Sequence, residues 1–222
     1  MGRPKKNMNA VVTGKNQALR KHILERSAEL FYKNGYSNVT VDEISKYADI
    51  SKKTLYDYFL TKYDILNEIV TVLINDTNKK LSEVVDNSAL PFTVKLRESF
   101  SVAAIAMSQI TLNFMEDLRY KLPDIYYRLA EFKKQAVIRF FSKLIKEGRQ
   151  NGYITKSINQ ELAIALFVSS IEHLSDANFF NSLPDKIKNK YPRTTQEIFN
   201  EFIHILYYGI LSEEQRSKVS IF

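Results

Sequence analysis

Residues 40–62 decide the fold, and they read TVDEISKYADISKKTLYDYFLTK. Thr40 and Glu43 form a capping box, in which a hydroxyl and a carboxylate bind the free N–H groups at a helix start. Ser51 is a candidate N-cap for a second helix, and Thr61 is a candidate N-cap for a third. The stretch therefore predicts two short helices joined by a tight turn, with a longer helix following them.

The second helix carries its polar side chains on one arc. Leu55 and Phe59 lie four residues apart and point inward, which leaves an outer arc formed by Lys52, Lys53, Thr54, Tyr56 and Asp57. Two helices of this length at a turn, the second carrying cations and a tyrosine, suit entry into a DNA major groove. We predict a helix-turn-helix DNA-binding domain over residues 19–64, with Lys52, Lys53 and Thr54 near base edges.

These residues also resemble the DNA-binding domain of the TetR family of bacterial transcriptional regulators. The resemblance covers about residues 19–66. It rests on the pattern Thr-Val-x-x-Ile from Thr40, on Ser-Lys-x-Thr-Leu-Tyr-x-Tyr-Phe-x-x-Lys from Ser51, and on Ile23, Ala28, Leu30, Phe31, Gly35 and Tyr36. It implies that Thr40, Tyr56 and Lys62 contact the phosphate backbone of DNA. The predicted DNA-binding residues are Thr40, Ser51, Lys52, Lys53, Thr54, Tyr56, Tyr58 and Lys62.

The chain departs from the family pattern at two positions. Asp49 stands where the family usually has glycine, and we expect the turn to form because aspartate tolerates a left-handed backbone better than most residues. Lys53 stands where the family often has glycine or a small residue, so it should add charge to the DNA-facing surface. Tyr58 is placed to contact a base methyl group or, alternatively, to pack against the first helix.

Positive charge is concentrated at the N-terminus. The 222 residues have a formal net charge of +7, of which residues 1–62 contribute +6. A basic N-terminal quarter on a nearly neutral body is typical of a nucleic-acid-binding module joined to a second domain. The alternative is a solvated basic surface with no partner. Residues 1–18 show no apolar period and are predicted to be a flexible basic arm, which either enters the minor groove or acts as a solubilising tail.

Signatures of an enzyme are absent from the sequence. It contains no cysteine, no glycine-rich phosphate loop and no nucleophile elbow, and its three histidines lie far apart. We therefore predict no catalytic activity, no cofactor and no metal. No apolar run approaches the length that crosses a bilayer, and the N-terminus is too polar for a signal peptide, so we expect a cytoplasmic protein.

The periodicity predicts an all-α fold of about nine helices. The resemblance implies that residues 65–222 form an effector-binding and dimerisation domain. Two helices, at about residues 162–174 and 195–211, are apolar on nearly every side and must be covered on more than one face. We expect them to pair two copies of the chain as a four-helix bundle; the alternative is a deep monomer core. The resemblance also implies dimerisation through the last two helices. The predicted interface residues are Leu162, Leu166, Ser170, Phe199, Phe202 and Leu206.

The body is rich in aromatic side chains, which are either plain core packing or the lining of a cavity for a small molecule. The resemblance implies an effector site, and the candidates by placement are Phe114, Met115, Tyr127 and Phe167. These expectations describe a homodimeric repressor that a small apolar or aromatic effector releases from a palindromic operator in double-stranded DNA. The rival interpretations are a ligand-independent activator or nucleoid-type protein, and a helical adaptor or enzyme whose basic N-terminus is incidental.

Overall fold

A computed structural model describes residues 14–108, 110–157, 159–173, 176–192, 194–210 and 213–216. The regular elements in these ranges are helices, so the all-α prediction is confirmed. A π-helical segment, Val137–Phe141, joins the seventh helix to the eighth. The α-helices are α1 Gly14–Asn34, α2 Val41–Tyr47, α3 Lys52–Tyr58, α4 Lys62–Val85, α5 Phe92–Ser108, α6 Leu112–Lys121, α7 Pro123–Ala136, α8 Ser142–Gln150, α9 Gln160–His173, α10 Ala177–Ser182, α11 Asp185–Lys188, α12 Thr195–Ile210 and α13 Glu213–Arg216.

Most long helices match the sequence prediction, and the first helix differs most. It begins at Gly14 rather than at residue 19, and the Tyr58 hydroxyl donates a hydrogen bond to Asn16 Oδ1 at 3.4 Å within the added turn. This contact between distant residues gives the extra turn a partner that local sequence does not reveal. Residues 14–18 of the predicted flexible arm are therefore helical, and residues 1–13 lie outside the described ranges.

Two hydrophobic cores organise the molecule. The first, which we call the lower core, contains Ile23 and Phe31 of α1, Leu55 of α3 and Leu66 of α4, together with Phe114 and Leu118 of α6 and Leu129 of α7. The second, the upper core, joins α4 and α5 to α8, α9 and α12 around Phe100, Phe141, Phe167 and Phe199. Because the lower core includes side chains from α1–α3 and from α6 and α7, the first three helices are packed directly onto the body.

None of the described helices combines the length and apolar character needed to span a bilayer.

Candidate nucleic-acid interface and effector site

The start of α2 is fixed by the capping box that the sequence predicts. Thr40 Oγ1 accepts the Glu43 N–H at 3.2 Å, and Glu43 Oε2 accepts the Thr40 N–H at 2.7 Å and its hydroxyl at 2.8 Å. These hydrogen bonds hold the pKa of Glu43 below its usual value, since they favour the charged carboxylate. The Thr40 hydroxyl is thus occupied by the cap, while the residue itself is exposed at the head of the helix.

The turn between α2 and α3 uses a left-handed residue. Asp49 has a φ of 52°, and it is the one residue other than glycine with a positive φ among the described residues. The turn therefore forms with aspartate in the left-handed conformation, as the sequence predicts. The Ile50 N–H then donates to the Ser45 carbonyl at 3.0 Å, so the chain reverses and places α3 against α2.

Helix α3 presents the predicted polar arc. The Ser51 hydroxyl caps it by accepting the Thr54 N–H at 3.0 Å. The buried side chains of Leu55 and Phe59 anchor it, as predicted. Lys52, Lys53, Tyr56 and Asp57 are exposed and Thr54 is half-buried, so the helix offers hydroxyl, phenol and ammonium groups on one surface.

The two lysines at the start of α3 differ in their partners. Lys52 Nζ lies 2.5 Å from Asp42 Oδ1, and both side chains are more than half exposed. An exposed ion pair contributes little stability, so a phosphate can replace the carboxylate. Lys53 is exposed and forms no hydrogen bond or ion pair with the residues that the structure describes. It is therefore available to a ligand without breaking any internal contact.

Lys62 and Tyr58 are more internal than the other predicted DNA-binding residues. Lys62 Nζ donates to the Tyr36 and Val39 carbonyls, each at 2.7 Å, and lies 4.0 Å from the centre of the Tyr36 ring. Burial lowers the pKa of Lys62. In this conformation its ammonium ties the start of α4 to the α1–α2 loop. Tyr58 is half-buried against the lower core, which is the packing alternative that the sequence left open.

A wide cleft opens in the body between α6, α7 and the end of α9. It has a volume of about 470 Å³, within the usual range for small-molecule sites. Met115 and Tyr127, two of the four residues proposed for effector binding, line it, together with charged side chains of both signs such as Arg119, Glu131 and Lys134.

A smaller cavity lies behind this cleft, inside the upper core. Its volume is about 80 Å³. Phe167, the third proposed effector residue, lines it, and so do Val137, Phe140 and Phe141 of the π-helical segment. Short π-helical insertions are frequent at functional sites. Lys133 and Ile171 line both spaces, so the cavity and the cleft meet at these two side chains.

Phe114, the fourth proposed effector residue, lines neither space. Its side chain is 0% exposed, and its ring meets the ring of Tyr32 edge-on, with the ring centres 5.3 Å apart. It belongs to the lower core, where α6 packs on α1. Helical periodicity correctly places it on an inward face, but that face meets α1 rather than a cavity.

The residues predicted for the dimer interface divide between the surface and the core. Leu162 and Leu166 of α9 are 58% and 59% exposed, and Ile205 of α12 is 68% exposed. Phe199 is buried and Phe202 packs against the upper core, so Ile205 rather than either phenylalanine faces outward from α12. The half-buried Ser170 donates its hydroxyl proton to the Leu166 carbonyl at 2.7 Å. Leu206 belongs to α12, and its side chain lies outside the described part of the chain.

Known proteins resemble the part of the chain formed by α1, α2 and α3, which we call the head. The family described as "Bacterial regulatory proteins, tetR family" matches residues 23–69, which cover most of α1 together with α2, α3 and the start of α4. The chain is 22% identical over 195 residues to the uncharacterised HTH-type transcriptional regulator YvaF of Bacillus subtilis, with 88% of this chain and 97% of YvaF covered.

Two further likenesses extend over the body. The HTH-type transcriptional repressor DhaR of Mycobacterium sp. is 22% identical over 155 residues, covering 68% of this chain and 78% of DhaR. The solved structure of the ketosteroid transcriptional regulator KstR2 of Mycobacterium tuberculosis superposes with a TM-score of 0.58 at 20% identity, covering 91% of this chain and 100% of KstR2. Residues 23–69 therefore match the DNA-binding domain of the TetR family, and this helix-turn-helix makes the protein a DNA-binding regulator of transcription.

Proposed function

We propose that this protein is a homodimeric repressor, acting in the cytoplasm, that leaves a palindromic operator when a small molecule with apolar or aromatic character occupies its body. Residues 19–64 are the proposed DNA-binding domain, and residues 65–222 are the proposed effector-binding and dimerisation domain. The single observation that carries the proposal is that α6 touches both the effector cleft and the DNA-binding head. Repression is favoured over activation because DhaR is named a repressor.

Helix α6 contacts the cleft with one face and the head with the other. Met115 and Arg119 line the cleft, whereas Phe114 and Leu118 are fully buried in the lower core beneath α1. Asp117 reaches further, since its Oδ2 accepts the Ser37 N–H at 2.7 Å in the α1–α2 loop. A ligand that displaces α6 must therefore displace the head.

Helix α7 makes a second connection to the head through α4. Arg128 donates to Asn67 Oδ1 at 2.6 Å and to the Thr71 hydroxyl at 3.0 Å, and the Tyr63 hydroxyl donates to the Asp124 carboxylate. Because α4 follows α3 directly, a change in the tilt of α4 alters the separation of the two heads in a dimer. The effector needs only to bind more tightly to the conformation with the wrong separation.

The proposed dimer forms through the exposed apolar side chains of α9 and α12. Leu162, Leu166 and Ile205 are large hydrophobic groups left in water by the monomer, and a two-fold pairing of these helices would bury all of them. Leu166→Glu is expected to yield monomers in sedimentation velocity. Ile105→Glu alters a similarly exposed side chain on α5 and should leave the dimer intact; monomers from both variants, or from neither, would contradict this interface.

The proposed DNA contacts come from the outer arc of α3. Lys53 has no partner among the described residues, and Tyr56 is 49% exposed. These two groups are the best placed to meet the groove and the phosphates, with Ser51, Lys52 and Thr54 beside them. Thr40 and Lys62, which the structure engages internally, would approach the backbone at the edges of this surface.

The test begins by enriching sheared genomic DNA on the purified protein to obtain an operator. Lys53→Ala and Tyr56→Phe are expected to weaken operator binding, the former by about tenfold, while dimerisation is unchanged. Lys80→Ala removes an exposed lysine of α4 and is the matched control. Affinity should fall steeply with salt, because neutralised phosphates release counterions. Wild-type affinity in the double variant would refute the docking scheme.

A further inference from the structure

Lys133 of α7 is a buried cation without a partner among the described residues. The residue is only 9% exposed. Its side chain forms no hydrogen bond or ion pair with the described part of the chain. Charged groups this deeply buried are normally paired, because removal from water is costly. Lys95 of α5 shows the usual solution, since its ammonium lies 2.9 Å from Glu147 Oε2.

The position of Lys133 allows its unpaired charge to contact a ligand. It lines the small cavity of the upper core and also the wide cleft outside it, so it stands where the two spaces meet. The cavity is otherwise apolar, with Phe132, Phe140 and Phe167 among its walls.

A buried, unpartnered ammonium between an apolar cavity and a polar cleft points to a ligand that supplies its partner. Burial lowers the pKa of Lys133 to about 8, so the ammonium is still mostly protonated at neutral pH. A cationic ligand would be repelled there, and a neutral one would leave the charge unpaired. A carboxylate would offset the desolvation of the ammonium and form a charge-assisted hydrogen bond with it.

The size of the cavity limits the apolar part of the ligand. Its 80 Å³ corresponds to roughly six water-sized positions, which fits a phenyl ring or a short alkyl chain. Anything longer must continue past Lys133 into the cleft, which is larger and lined by polar groups.

We propose that the effector is an organic acid whose compact apolar group fills the cavity of the upper core and whose carboxylate pairs with the Lys133 ammonium. The inference rests on the proposed function, because it names the chemical class of the effector for the same body.

The test measures binding to the full-length protein without DNA, by titration calorimetry. The probes are hexanoate and phenylacetate, their matched alcohols hexanol and phenethyl alcohol, and the amine hexylamine. At least one acid should bind more tightly than its alcohol, and the amine should not bind. Lys133→Met should weaken binding of the acid by about tenfold to a hundredfold and leave the alcohol little changed, while Lys133→Arg should retain preference for the acid.

Lys146 of α8 supplies the control, because it is exposed and lines neither the cavity nor the cleft. Lys146→Met should bind the acid within about threefold of wild type, a change too small for a lost charge-assisted hydrogen bond. Circular dichroism of each variant confirms that it is folded. Equal affinity for acid and alcohol, binding by neither acid, or unchanged acid binding in folded Lys133→Met would overturn the proposal.

Operator release is measured separately with the same acids. If an acid binds in a Lys133-dependent manner but leaves the operator complex intact, the site stands and the proposed ligand-responsive function fails. If the operator is released by neutral compounds and Lys133→Met responds to them as wild type does, the proposed function stands and the acid site fails.

Discussion

Replacing Lys133 with methionine should stabilise the folded protein at neutral pH. Methionine keeps the length and most of the volume of the lysine side chain while removing its charge. The pKa of Lys133 falls from 10.5 to about 8 because burial penalises the charged form. At about 1.4 kcal/mol for each pKa unit, this difference corresponds to about 3 to 4 kcal/mol of lost stability when the lysine is protonated in both states.

The sign of the pH dependence follows from the lowered pKa. Below about pH 8 the lysine is charged in the folded and unfolded states, and the folded state bears the full desolvation penalty. Between about 8 and 10.5 the folded protein loses its proton first, so stability rises with pH. Above 10.5 the lysine is neutral in both states and the penalty is gone.

The assay is urea unfolding of wild type and Lys133→Met at equal protein concentration, across this range of pH. The variant should be more stable by about 3 to 4 kcal/mol near neutral pH, and its advantage should vanish as pH approaches 10.5. Subtracting the two curves removes groups common to both, including Tyr32, whose burial raises its pKa to about 12. Lys146→Met, at an exposed position on α8, controls for the change in net charge.

Two results would refute the reasoning about Lys133. One is a variant less stable than wild type near neutral pH, which would mean that the ammonium has a favourable partner. The other is a stability difference that does not change with pH, which would mean that the lysine is not desolvated. Either result would also remove the physical basis for an anion site in the cavity.

Three further predictions concern stability. Gly148→Ala should lower the melting temperature, because its Cβ would lie 2.7 Å from atoms of Phe92 and Ile154 and overpacking costs about 1–3 kcal/mol; an unchanged melting temperature would show that the neighbours move freely. Thr61→Ala should cost about 1 kcal/mol in urea unfolding by removing the N-cap of α4, and no loss would contradict that role. Asp49 has a φ of 52°, and alanine is strained in this left-handed region. Asp49→Ala should therefore be about 1 kcal/mol less stable than Asp49→Gly; equal stability would argue against strain.

The DNA-binding head was predictable because its determinants are local. The capping box of Thr40 and Glu43, and the cap of α3 by Ser51, join groups three residues apart, so sequence spacing alone specifies them. The inward positions of Leu55 and Phe59 follow from the helical period in the same way. What spacing could not show is the tertiary role of Lys62, whose two carbonyl partners lie 23 and 26 residues away.

The body was predictable only as helices, because a helical period states which residues share a face and not what that face meets. Phe114 shows this on α6, where the inward face packs on α1. Helix α12 is a second example, because it has apolar residues on nearly every side. Its sequence does not tell whether Phe199 or Ile205 points outward. Lys133 and Lys134 are adjacent and chemically identical, and only packing of α7 decides which one is buried.

The relative strength of the contacts made by α6 indicates how a signal would reach the head. Phe114 and Leu118 are fully buried between α6 and the head, and exposing each would cost about 2 kcal/mol or more. That exceeds what a typical coupling free energy of about 1–3 kcal/mol can supply for both. We therefore expect α6 to move together with the head rather than slide across it. The bending must then occur on the body side of α6, at the 110–111 link to α5 or at Leu122 before Pro123, where the helices are interrupted.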